Sequence, residues 1–323
     1  MSVMTALKVL VIGAGNMGAF YSQPGAQYRL SHGHAIADSP DLELLGFVDT
    51  RPGQAEKASE VWGGSPFADL ESALSSLSVD LAVVCVPDAE HAPVLNRLLS
   101  EKSLRLVFTE KPLADNLADA EAVVSAYAEQ SMPLSVNYSR RFIRDFQDCA
   151  QAVRNGSYGA FHGGCGYYGK GLFHNGSHLL DQLLFITGES FSVDHVSGKL
   201  VDFDDSDPSL SAVLKTGGGA TFNLQAIDCR NFSIYELDLI FAGGRIRISD
   251  AGKRMELYRV AADEEFADYR SLAGETVAVP LFSCLPAAYA NLTGYLEEDE
   301  DLVSPASDAL EVLSLCQRIR SSL

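Results

Sequence analysis

Two hydrophobic periods divide the chain. Within residues 1–137, five short runs (7–12, 43–48, 80–86, 104–109 and 133–136) are apolar almost throughout. Continuous rather than alternating apolar runs of this length fit strands buried on both faces of a parallel sheet. Stretches with helical spacing lie between them, at 54–61, 69–77, 91–99 and 117–130. Asp115 or Asn116 would cap the last of these. Strands alternating with helices predict a doubly wound parallel sheet. After Arg141 the pattern changes. A helix is expected over 142–155, then an alternating strand over 158–168. Further strand-like runs follow at 193–201, 210–215, 220–228, 233–241, 244–249 and 255–260, separated by Gly and Asp turns. They read as an antiparallel sheet. The expected fold class is therefore α/β, with a dinucleotide-type domain over 1–137 and a second domain over 138–323. A terminal helix over 307–321 is expected to pack back on the first domain.

Length supports that division, since 323 residues exceed what one core usually serves. No apolar run is long enough to span a membrane, and residues 1–8 lack the basic-then-apolar signature of a signal peptide. The expectation is a cytoplasmic protein with no membrane partner. A net charge of −19 argues against nucleic acid, whose phosphates need a basic surface. The six cysteines form no CxxC pair, so neither a zinc ribbon nor a redox motif is expected. Asp204, Asp205 and Asp207 lack the glycine and distal glutamate of a calcium loop.

Candidate chemistry gathers at the carboxyl ends of the first-domain strands, where open α/β sheets bind ligands. Gly13-Ala14-Gly15-Asn16-Met17-Gly18 follows the first strand directly. In that context Gly13 allows a tight turn, Gly15 lets the backbone approach a pyrophosphate, and Gly18 permits close helix–strand packing. A helix opening there would offer its N–H groups to phosphate. Asp49 ends the second strand, placed to accept both ribose hydroxyls and so to favour NAD. Arg51 suits the 2′-phosphate of NADP, which Asp49 would repel, so NAD is expected and NADP is the alternative. The interval from glycine loop to Asp49 is long. Its excess, residues 20–39, holds Tyr21, Gln23, Tyr28, Arg29, His32 and His34, and reads equally as a surface insertion or a loop over the site. Val86-Pro87, Glu110-Lys111-Pro112 and Asn137 end the later strands. Pro112 keeps Lys111 extended, where it can meet a substrate. His91, alone, reads more readily as a helix-start residue than as a ligand.

These residues resemble the Gfo/Idh/MocA family of nicotinamide-dependent oxidoreductases. The resemblance rests on the glycine loop, Asp49, Val86-Pro87-Asp88-Ala89-Glu90-His91 and Glu110-Lys111-Pro112-Leu113. Asn137-Tyr138-Ser139-Arg140-Arg141-Phe142 and Gly176-Ser177-His178-Leu179-Leu180-Asp181 complete it. It implies a Rossmann domain and a second α/β domain whose open, mainly antiparallel sheet often forms an oligomer interface, here a dimer or tetramer. It implies cofactor contacts from Gly13, Gly15, Asn16, Met17, Gly18, Asp49, Thr50, Arg51, Val86, Pro87, His91, Glu110, Lys111 and Asn137. It also implies that Lys111 lies beside the nicotinamide and that His178 is the acid/base histidine. A histidine titrates near neutral pH, as a proton acceptor for alcohol oxidation must. Many family members carry an aspartate four residues before that histidine. His174 stands there instead, which leaves the acid/base arrangement open between Lys111, His178 and His174. If a helix starts near Gly176, His178 and Asp181 share a face. Tyr168, Lys170 and Asn175 are candidate substrate contacts, with a plain polar loop as the equal alternative; Lys111, His178 and Asp181 are further candidate substrate contacts. Zinc on His174, His178 and Asp181 is a minority reading, because the glutamate of HExxH is missing. The expected activity is NAD-dependent interconversion of a secondary alcohol and a ketone on a polyol, sugar or nucleotide-linked sugar. A nucleotide sensor without turnover, and a reductase of an imine or tetrapyrrole, are the alternatives.

Overall fold

A computed structural model describes residues 6–323, in two compact units. The first comprises residues 6–142 and 282–310, the second residues 143–281 and 311–323. In the first, β1 (Leu7–Ile12), β2 (Leu42–Val48), β3 (Ser65–Phe67), β4 (Leu81–Val84), β5 (Leu106–Thr109) and β6 (Leu134–Val136) form one sheet. Their order is β3-β2-β1-β4-β5-β6, and every pairing is parallel. This is the Rossmann order, which reverses direction at β1. Val9, Leu10, Val11, Val83 and Val84 are all buried, because helices cover both faces. Those helices are α1 (His32–Ala37), α2 (Gln54–Trp62), α3 (Leu70–Ser76), α4 (His91–Leu98) and α5 (Leu117–Glu129). Asn116 is the cap of α5, its side chain accepting the Asp119 N–H at 3.0 Å.

The helix expected after the glycine loop is broken in two. A single turn, Asn16–Phe20, closes with the Tyr21 N–H on the Asn16 carbonyl at 2.8 Å. A loop containing Pro24 and Gly25 follows before the chain turns helical again as α1. The break is stitched by polar contacts. The Trp62 indole N–H donates to the Ala19 carbonyl at 2.7 Å, serving an acceptor left by the interrupted helix. Ser22 Oγ lies 3.1 Å from Ser31 Oγ and 2.9 Å from His34 Nδ1. The excess length noted in the sequence is thus an insertion into the first Rossmann helix.

In the second unit α6 (Arg144–Arg154) leads to β7 (Phe161–Tyr168), and α7 (Ser177–Thr187) precedes β8 (Phe191–Leu200). Then come β9 (Ser209–Thr216), β10 (Thr221–Ala226), β11 (Tyr235–Phe241), β12 (Gly244–Ser249), β13 (Arg254–Ala262) and β14 (Arg270–Ala278). These eight strands form a sheet in the order β14-β13-β12-β11-β7-β10-β9-β8. All its pairings are antiparallel except β10 with β7. Along β11, Tyr235, Leu237, Leu239 and Phe241 are buried, whereas Glu236 and Asp238 face outward to Arg247 and Arg245. Gly166 lets α7 lie close on the sheet, since a Cβ there would sit 2.7 Å from Leu179 Cδ2.

The chain then returns to the first unit through α8 (Cys284–Glu297), a helix the sequence reading did not foresee. Its Leu285, Ala288, Tyr289 and Leu292 complete the core formed by Val9, Phe47 and Phe108. The last helix, α9 (Ala306–Ser321), starts in the first unit, but from Glu311 onward it groups with the second. There Arg318 donates to the Phe191 carbonyl and Arg320 lies over the Phe173 ring. Among the described residues, no helix is long and apolar enough to cross a membrane.

Candidate active site

Where the strand order reverses, the ends of β1, β2 and β4 open into a cleft of ≈ 740 Å3. It is lined by Gly13, Gly15, Asn16, Met17, Asp49, Thr50, Arg51, Val86 and Pro87, which the sequence offers as candidate cofactor contacts. Tyr21, Leu70, Cys85, Glu90 and Val94 line it as well. The three glycines differ in what they do. Gly13 has φ +99°, and a Cβ there would meet the Cys85 carbonyl oxygen at 2.4 Å. A Cβ on Gly18 would sit 2.0 Å from the Gly13 carbonyl oxygen. Both are demanded by packing. A Cβ on Gly15 would meet nothing closer than Arg51 Nη2 at 3.7 Å, so its backbone lines the cleft without being required by packing. The N–H groups available there come from one helical turn rather than from a long helix, which reduces the dipole contribution.

Asp49 is held from two sides. Oδ2 accepts the Ala14 N–H at 2.9 Å and Arg51 Nη2 at 2.7 Å, while Oδ1 accepts the backbone N–H and Nε of Arg51, each at 2.9 Å. Burial alone would raise this carboxyl, but these donors outweigh it and hold it below the usual range. The Arg51 guanidinium is 63% exposed beside it.

At the end of β5 lies Glu110-Lys111-Pro112, with a cis peptide between Lys111 and Pro112. Two histidines from distant helices hold it. His91 is fully buried, with Nδ1 2.6 Å from the Pro112 carbonyl and Nε2 3.0 Å from the Val86 carbonyl. Its side chain ties the ends of β4 and β5 together. His32, at the start of α1, puts Nε2 2.9 Å from Glu110 Oε1 and Nδ1 2.7 Å from the Tyr289 hydroxyl. Asn137 Nδ2 donates to the same Glu110 oxygen at 2.7 Å. Burial pushes Glu110 up, yet His32, Asn137 and the charge of Lys111 outweigh it and bring the carboxyl below its ordinary value. Glu110 in turn adds to the burial that pushes the Cys85 thiol well up. Asn137 Oδ1 is buried with no hydrogen-bond partner among the described residues.

The second unit holds the other candidates. His178 is half-buried in the first turn of α7, and Asp181 is buried one turn on. His174 is exposed, in a turn (Leu172–Gly176) whose Phe173 and His174 N–H groups are capped by Asp207. Its ring lies 4.8 Å from that of Phe203, and Lys170 Nζ lies 5.1 Å from the same ring. Asn175 Nδ2 donates to the Gly169 carbonyl at 2.9 Å. Tyr168 is not available to a substrate. It is 0% exposed, and its hydroxyl both donates to the Leu210 carbonyl (2.9 Å) and accepts the Leu210 N–H (2.7 Å). Strand alternation points it inward, against Gly176. Among the described residues no cluster of His, Cys, Asp or Glu could hold a metal ion.

Residues 7–138 match the family model GFO_IDH_MocA, described as an oxidoreductase family with an NAD-binding Rossmann fold. The chain is similar to the myo-inositol 2-dehydrogenase of Thermotoga maritima, 26% identical over 157 residues. That alignment covers 48% of this chain and 43% of the relative. It is 27% identical over 209 residues to the D-glucoside 3-dehydrogenase of Escherichia coli, covering 58% of this chain and 56% of the relative. The chain thus spans about half the length of the curated relatives it matches. Over the whole chain the fold is similar to that of a 3-ketoreductase from Actinomadura kijaniata solved with NADP. The TM-score is 0.74 at 18% identity, covering 98% of each chain.

Proposed function

We propose that this chain, whose residues 7–138 form the NAD-binding Rossmann domain of the Gfo/Idh/MocA family, is an NAD-dependent oxidoreductase. Its reaction interconverts a secondary alcohol and a ketone on a polyol, sugar or nucleotide-linked sugar. The observation that carries the reading is Lys111, set at the end of β5 beside a Glu110 that His32 and Asn137 orient and hold below the ordinary carboxylate range. The inositol and glucoside dehydrogenases among the relatives support the substrate class.

The residues present suit a dinucleotide. Gly15 admits the pyrophosphate, Asp49 accepts ribose hydroxyls, and Asn137 Oδ1 and Glu110 offer acceptors to a carboxamide nitrogen. The bound nicotinamide supplies hydride transfer. Lys111 would polarise the substrate oxygen and, with His178, carry the proton. Asp49 favours NAD, while the exposed Arg51 beside it keeps NADP a usable second cofactor. We further propose a cytoplasmic protein that forms a dimer or tetramer through the open face of the eight-stranded sheet, to be checked by light scattering.

The test is to incubate the protein with NAD or NADP and a panel of inositols, free sugars and nucleotide sugars, following reduced-nicotinamide absorbance. A signal lost in Lys111→Ala supports the proposal. Equal activity in that variant overturns the role of Lys111. Tight NAD binding with silence in both reaction directions would favour a sensor.

A further inference from the structure

We infer that His32, carried by the segment that interrupts the first helix, is a positioning residue that fixes the Glu110 carboxylate at the nicotinamide end of the site. The inference rests on the dinucleotide reading above and deepens it. His32 lies 78 residues from Glu110 in the chain, yet its ring is 1% exposed and bonded at both nitrogens. The ring meets Phe108 edge-on at 5.6 Å and Tyr289 at 5.8 Å, so packing allows it one orientation. The bonding also sets its tautomer. An ionised carboxylate only accepts, so Nε2 must carry the proton. Burial keeps the Tyr289 hydroxyl protonated, and it lies 2.7 Å from Nδ1.

Both donors on Glu110, His32 Nε2 and Asn137 Nδ2, meet Oε1. Among the described residues no group bonds Oε2. The carboxylate is therefore pinned by one oxygen and presents the other. Without His32 this enclosed charge would keep one donor and would have to turn to the adjacent Lys111 or take up a proton. Either change would alter the nicotinamide end and leave the adenosine end, with Asp49 and the glycine loop, as it was. Insertion and function are joined here. The ten-odd residues that break the helix leave its second half, α1, free to carry His32 to β5.

The test compares wild type with His32→Ala, His32→Gln and His32→Asn, each checked for folding by its melting curve. NADH affinity is measured by fluorescence titration and ADP-ribose affinity by calorimetry. Gln places an N–H near the position of Nε2, whereas Asn serves the Nδ1 side and Tyr289. The expected result is NADH binding weakened about tenfold in His32→Ala and His32→Asn, the scale of one charged hydrogen bond. ADP-ribose binding stays unchanged, and His32→Gln recovers most of the loss. Should His32→Ala not fold, the Gln and Asn variants still separate the two bonds. NADH affinity equal in all variants overturns the inference, as does a parallel loss of NADH and ADP-ribose. If wild type binds neither ligand, the dinucleotide reading fails too, and that outcome is distinct from the other two.

Discussion

The two ends of the first unit's ligand edge are built differently. At the adenosine end, partners are close in sequence or belong to one motif. Arg51 grips Asp49 from two residues away, and Gly13, Gly15 and Gly18 divide the glycine-loop work among themselves. At the Lys111 end, partners come from far along the chain. Glu110 is held by Asn137 and His32, and His32 by Tyr289, 257 residues later. A local end can be recognised as a motif and should tolerate change elsewhere in the chain. A long-range end depends on several elements docking together, so single substitutions there should reach the chemistry.

The sharpest way to break this contrast is Lys111→Ala. Turnover is expected to fall by roughly 10²–10⁴, the range for losing a positioned acid/base group. ADP-ribose and NAD binding should hold, because neither Gly15 nor Asp49 is touched. Steady-state kinetics beside a binding titration separates the two, and a variant with near-normal kcat would remove Lys111 from the chemistry. His178→Ala follows, with a smaller loss, about 10²-fold in kcat. If its rate matched wild type, the proton would be left to Lys111 or His174.

At the adenosine end, Asp49→Ala removes the acceptor proposed for ribose and frees Arg51. NAD affinity should weaken by about tenfold while NADP affinity rises, since the repelling charge is gone and the guanidinium remains. Measuring both dissociation constants reads out the swap. Unchanged preference would mean that Asp49 does not face the ribose.

How much of this was legible follows the same division. The parallel strands could be read because runs such as residues 7–12 are apolar on both faces, and the glycine loop because it sits directly after one of them. The eight-stranded sheet was readable from alternation in β11 and β12. Strand β14 was not, since its residues are nearly all exposed and show no buried face. Helix α8 is not legible in the sequence although it completes the first core, because nothing local ties residues 284–297 to a sheet more than 140 residues earlier. In the sequence His32 stands out only as part of a long segment, since its contacts arise when α1, β5 and α8 meet. His91 and Tyr168 show the opposite error. Their positions invited a ligand role, and burial gave them structural ones.

Stability against pH sharpens the contrast further. Asp49 and Glu110 both have carboxyls lowered in the fold, so their contribution is present above the ordinary carboxylate pKa of about 4. It is lost as pH falls from there through the lower folded value, because the unfolded chain then binds more protons than the folded one. Urea midpoints should therefore drop below about pH 4.5. Glu110→Gln, which cannot ionise, should flatten that acid limb. An unchanged slope would show that the buried carboxylate is not ionised in the fold.

The smallest effect on turnover is expected at Tyr168, and it tests a correction rather than a role. Its hydroxyl serves both polar groups of Leu210, joining the end of β7 to β9, where no water reaches. Phe in its place fills the same volume against Gly176 and leaves a buried N–H and carbonyl short of a partner. Such a loss costs about 1–3 kcal/mol. Melting or urea unfolding should register that loss, while KM and kcat at a permissive temperature stay at wild-type values. A raised KM with unchanged stability would instead return Tyr168 to the substrate, and would require β7 to present to a ligand the face that its alternation now turns toward the core.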